Sequence, residues 1–109
     1  MAKHDFGIMQ TAPKTGKKYN RYTPEKYSCI SVDDDYIHPL FEKLGNVKCF
    51  WHTLDRPEFG LAYCGITLIP PESFDSIIKI VEDNSNLSDL VILLTKAKDS
   101  KKYVIHFGI

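Results

Sequence analysis

Between Tyr27 and Phe107 the hydrophobic pattern changes period in a fixed order, and that order constrains the fold of this chain more than any other feature. Residues 27–32 alternate as a strand does, with Ser28, Ile30 and Val32 on one side and Tyr27, Cys29 and Ser31 on the other. Asp33-Asp34-Asp35 follows, then Ile37, Leu40, Phe41 and Leu44 at helical spacing, and Gly45 as a stop. With Asp35 as N-cap, Pro39 falls in the first turn, where no intrahelical amide bond is lost. Residues 47–54 and 61–69 are rich in β-branched and aromatic side chains and read as strands, joined by a hairpin at residues 55–60. Pro70-Pro71-Glu72 opens a helix with Phe74, Ile77, Ile78 and Val81 on its buried stripe. Asn84-Ser85-Asn86 breaks it. Asn86 caps a second helix that buries Leu87, Leu90, Val91, Leu94 and Ala97, and residues 103–107 form the closing strand.

The expected architecture is therefore a single α+β domain over residues 27–109, with a four-stranded, mainly antiparallel sheet and helices on one face. Its order, βαββααβ, resembles the ferredoxin-like split βαβ arrangement with an extra helix in the second crossover. The resemblance is one of topology and implies no particular activity. Residues 1–26 read as an N-terminal arm or an extra edge segment. Phe6 to Met9 is its apolar piece, and Pro13, Gly16 and Pro24 interrupt its lysines.

A chain of 109 residues supports one core. With 43% hydrophobic and 26% charged residues it has the composition of an ordinary globular protein. No apolar run approaches the roughly 20 residues needed to span a bilayer, and the first residues lack the apolar stretch of a signal peptide. Its three cysteines are odd in number and without CxxC spacing, which points to free thiols in a reducing compartment. The expected location is the cytoplasm. Lysine far outnumbers arginine and Ile, Tyr and Asn are frequent, which suits an A/T-rich, bacterial genome.

The net charge is zero but unevenly spread. Residues 1–26 carry +4, residues 27–92 carry −7 with eleven acids against four bases, and residues 93–109 carry +3. A neutral chain has no overall pull toward nucleic acid or anionic lipid.

Pairing Leu54 with Leu61 sorts the side chains onto two faces, which a one-residue slip would exchange. Ile30, Val32, Trp51, Cys64, Ile66, Leu68, Ile105 and Phe107 are then expected under the helices. Tyr27, Cys29, Phe50, His52, Tyr63, Val104 and His106 are expected on the open face. Aromatic residues with few charges have the composition of an interface core. The leading expectation is thus a module that binds another protein or a copy of itself, in the manner of an inhibitor-type partner of a basic protein. Phe50, His52, Tyr63 and His106 carry that reading, with Phe59 and Arg56 at the hairpin tip as further contacts. Against it stands coverage of the face by the arm through Phe6, Ile8 and Met9.

The competing class is a small enzyme. His52 and His106 would serve as acid and base, Tyr63 as a hydrogen-bond donor to developing charge and Cys29 as nucleophile, although no carboxylate accompanies them on that face. A weaker alternative is single-stranded nucleic acid, since Lys48 is the one base on that face, with Lys14, Lys17, Lys18, Arg21, Tyr19 and Tyr22 in the arm. No metal set and no cofactor motif is present: the histidines are scattered, and there is no P-loop, GxGxxG or GxSxG. The ligand, if small, is left open.

Overall fold

In the computed structural model, which describes residues 2–109, the N-terminal segment lies in the middle of the sheet. The strands are β1 (Lys3–Ile8), β2 (Ile30–Asp33), β3 (Lys48–Trp51), β4 (Pro57–Phe59), β5 (Ile66–Ile69) and β6 (Val104–Phe107). The helices are α1 (Asp34–Ile37) and α2 (Phe41–Leu44), joined by a 3-10 turn at His38–Leu40 into one stretch, then α3 (Phe74–Val81) and α4 (Ser88–Asp99). One sheet of six strands runs β2-β1-β6-β5-β3-β4, and every neighbouring pair is antiparallel.

This corrects the expected four-stranded sheet, and the ferredoxin-like order is not supported. The reason is parity. One helix between two strands returns the chain so that the second strand runs parallel to the first; two helices return it antiparallel. Because α3 and α4 both lie between β5 and β6, β6 comes back as the antiparallel neighbour of β5. β1 then fills the space between β6 and β2, which leaves β2 at the sheet edge.

The faces also differ from expectation. β3 forms its hairpin with the short β4, with Phe50 opposite Pro57, and pairs on its other edge with β5, Phe50 opposite Leu68. The expected register set Phe50 opposite Gly65. The shift is three residues, an odd number, so β5 turns over: Thr67 and Ile69 face the helices, Ile66 and Leu68 the other side. In β6, likewise, Val104 and His106 face the helices while Ile105 and Phe107 point away. All four residues of β5 and of β6 are buried, so polar alternation gave no clue to which side was in.

Both faces carry a core. Under the helices lie Phe6, Val32, Cys49, Ile69 and Val104 against Ile37, Leu44, Phe74, Val81, Leu90 and Leu94. On the opposite face Met9, Ile66, Leu68, Ile105 and Phe107 are covered by Tyr19, Tyr27, Cys29, Phe50 and Leu54. The segment from residue 10 to 29 is thus a third layer over a sheet face that was expected to be open. It passes so close to β1 that a Cβ on Gly7 would stand 2.6 Å from the Tyr27 Cβ and 2.7 Å from the Cys29 Sγ. At α1 the cap is Asp33, not the expected Asp35 two residues later; its Oδ1 accepts from the Asp35 amide at 2.9 Å. Asn84 does the same for Asn86.

Candidate functional site

The polar side chains that the fold brings together lie beneath the helices. His4 on β1 and His106 on β6 are both wholly buried, and their rings meet edge to edge, His4 Nδ1 2.9 Å from His106 Nε2. His4 Nε2 lies 2.7 Å from Asp34 Oδ1, and Tyr63 donates its hydroxyl to Asp34 Oδ2 at 2.6 Å. At the other end His106 Nδ1 is 3.1 Å from Thr67 Oγ1, which accepts the Ala62 amide at 2.8 Å.

Asp34 sets the polarity at one end of this chain. The hydrogen bonds from Tyr63 and His4 hold the Asp34 carboxyl below its usual range, so it only accepts. His4 therefore donates to it from Nε2. Burial, and then the neighbouring His4, push His106 well below the ordinary imidazole value, so it is neutral, with one N–H and one free nitrogen between His4 Nδ1 and Thr67 Oγ1. No buried side-chain polar atom among the described residues lacks a partner. The same hydrogen bond to Asp34, followed by burial, raises the Tyr63 phenol to about 12.

Tyr63 reaches Asp34 because residues 60–65 form a loop, where a strand was expected. The C-terminal residues hold that loop: Gly108 donates to the Gly65 carbonyl at 2.7 Å and Ile109 to that of Tyr63 at 2.9 Å. A Cβ on Gly108 would stand 2.2 Å from the Tyr63 oxygen. Phe41 packs edge-on against the Tyr63 ring, centroids 4.9 Å apart.

The residues expected to share one surface are thus divided. His106 and Tyr63 belong to the buried chain. His52 lies across the sheet, where it clamps the covering segment: Tyr19 donates to the His52 carbonyl at 2.7 Å, and His52 Nδ1 donates back to the Tyr19 carbonyl at 3.1 Å. Phe50 is half-buried beside this contact. Cys29 packs on the same core, and burial raises its thiol to about 12. His52 and His106 therefore share no substrate space, and Cys29 lacks the thiolate a nucleophile needs.

The basic arm is likewise part of the fold. Tyr19 joins the core of that face, with the Lys17 ammonium over its ring at 5.1 Å, and Tyr22 donates to the buried Asp5. Beside Asp5, Tyr22, Ser31, His52 and Cys64 opens a cleft of about 810 Å³.

Arg56 and Phe59 stay at the surface. Phe59 is 66% exposed at the β4 edge; Arg56 pairs with Glu58 at 3.0 Å and stacks on Trp51 with its guanidinium 5.4 Å from the ring. Trp51 donates its indole N–H to the Gly60 carbonyl at 2.9 Å, which makes a rigid base beneath both. Trp51 N–H bonds the Arg56 carbonyl and Gly60 N–H that of Val47, so the main-chain groups of Pro57 and Phe59 point outward. Pro57 has no N–H, which blunts this edge toward strand addition and leaves its side chains as the recognition elements.

Sequence reasoning missed His4, Asp34 and Thr67. One signal was available: His4-Asp5-Phe6-Gly7-Ile8 resembles His106-Phe107-Gly108-Ile109, and these segments lie on adjacent strands, Phe6 opposite His106. The acidic triplet was fully explained by capping, which hid the separate role of Asp34. Among the described residues no group of three His, Cys, Asp or Glu is placed to hold a metal, and no helix is long and apolar enough to cross a membrane. Comparison with protein-family models, curated proteins and solved structures found no match.

Proposed function

We propose that this protein acts by binding another protein, and that Phe59 and Arg56 at the β3–β4 hairpin are the contact. The exposed Phe59 ring beside an Arg56 braced on Trp51 is the observation that carries this reading. Aromatic and arginine side chains on a rigid base lose little freedom on binding and dominate interface energetics. Catalysis by His52 and His106 draws no support from their separation, nor does stacking of nucleic acid on a face that Tyr19 and Tyr27 already cover. The excess of acids in residues 27–92 favours a partner with a basic rim, by steering its approach. The test is affinity capture from the source cell with wild type and Phe59→Ala side by side, followed by titration of the purified partner. A partner held by wild type and lost by Phe59→Ala supports the reading. Equal retention by both, or no specific protein at all, refutes it.

The cleft favours a second reading. Its volume is that of a small-molecule site, and polar groups on Asp5, Tyr22, Ser31 and His52 converge over an apolar floor of Ile66 and Phe107. A small polar molecule bound there would shield Cys64 from alkylation. Screening for compounds that slow Cys64 alkylation tests this; no slowing by any of them removes it.

A further inference from the structure

The two sheet edges are not alike, and the difference concerns β2. Asp34 N–H bonds the Ala2 carbonyl, so His4–Val32 and Phe6–Ile30 are the hydrogen-bonded pairs with β1. The amides and carbonyls of Ser31 and Asp33 then point outward, with no proline to interrupt them. Above this edge α4 packs across β1 and β2 and presents Ile92, 58% exposed, next to a groove of about 310 Å³ shared with Ile8 and Ile30.

We propose that a second copy of this chain adds to the sheet through β2, antiparallel about Ser31, with α4 packing on α4 across the two-fold axis. The register is self-complementary. Ser31 meets Ser31 and Ile30 meets Val32 on the helix side, beneath Ile92, while Asp33 falls opposite Cys29, which lies outside β2 and whose amide the Pro24 carbonyl already holds. Strand spacing sets the helix distance. An axis lying over the β1–β2 boundary stands about 4.8 Å from the two-fold, so the two α4 axes lie about 10 Å apart, which is the separation of packed helices. With Ile92 at the crossing, Asp89 one turn before it faces Lys96 of the other copy one turn after it. Both are exposed, and neither joins an ion pair among the described residues. A two-fold axis produces this contact twice. The surface is separate from Phe59, so this inference does not depend on the binding reading above.

Light scattering and sedimentation over a range of micromolar concentrations test it, with circular dichroism to confirm that each variant folds. The wild type is expected to dimerise. Ile92→Asp weakens dimerisation about tenfold or more. Asp89→Lys and Lys96→Asp each weaken it, and the two together restore it. Exchange of the Ser31 and Asp33 amides slows as dimer forms. A wild type of monomer mass throughout, a dimer indifferent to Ile92→Asp, a charge swap no tighter than its single changes, or unchanged exchange at Ser31 and Asp33 overturns the proposal.

Discussion

His4 and His106 are 102 residues apart in the chain and 2.9 Å apart in the structure, two imidazoles joined by a hydrogen bond deep in the core. The contact ties the first strand to the last. It also makes the fold sensitive to acid, because His106 is buried and held neutral, so charging it there is costly.

The first prediction is a loss of stability in mild acid. His106 is held well below its unfolded value of 6.5, so the unfolded chain takes up a proton first. Its contribution is complete above 6.5 and falls as pH drops below it, by at most about 1.4 kcal/mol per pH unit for one group. Asp34, also held low, contributes above its unfolded 3.8 and loses that only in stronger acid. Urea unfolding between pH 7 and 5 should show the first limb, and His106→Gln should flatten it. A flat wild-type profile contradicts the assignment.

At high pH Tyr63 acts in the opposite sense. Its neutral phenol is favoured in the fold, up to about 12 against 10.0 unfolded, so its stabilisation is complete below 10 and declines from there toward 12. Tyr63→Phe removes that share of the alkaline limb and lowers the unfolding midpoint at neutral pH. The phenol titration followed by near-ultraviolet absorbance should lose its latest step.

Gly7→Ala places a methyl where Tyr27 and Cys29 already stand. It should cost about 1–3 kcal/mol, as overpacking does. Lifting the covering segment also exposes the Cys29 thiol. Faster labelling of Cys29 at native pH separates this cause from a general loss of stability.

In the wild type, thiol reagents should distinguish the three cysteines. Cys64 is exposed and labels without unfolding. Cys29 and Cys49, both raised to about 12 with burial as the main cause, label only as the fold opens, at rates that follow denaturant. Rapid labelling of all three in native buffer would falsify the buried placement.

Phe59→Ala removes an exposed ring from an edge strand. Stability should stay within about 0.5 kcal/mol of wild type by urea unfolding. Any loss of partner binding is then a surface effect.

The sequence by itself determined the local elements. Periodicity located strands within residues 47–54 and 103–107 and the helices behind Phe74 and Leu90, because these depend on neighbours a few positions away; Phe59, expected at a hairpin tip, lies on the short strand β4. Tertiary structure alone decided which face each strand buries. A strand covered on one face declares its register by polar alternation. With the segment from residue 10 to 29 over one face and helices over the other, β5 and β6 are buried on both, Thr67 and His106 included, so a three-residue shift left no exposed polar row to reveal it. The His4–His106 contact lay beyond local reasoning for a related reason. It exists only because two helices between β5 and β6 return the chain antiparallel, leaving a place beside β6 that β1 takes.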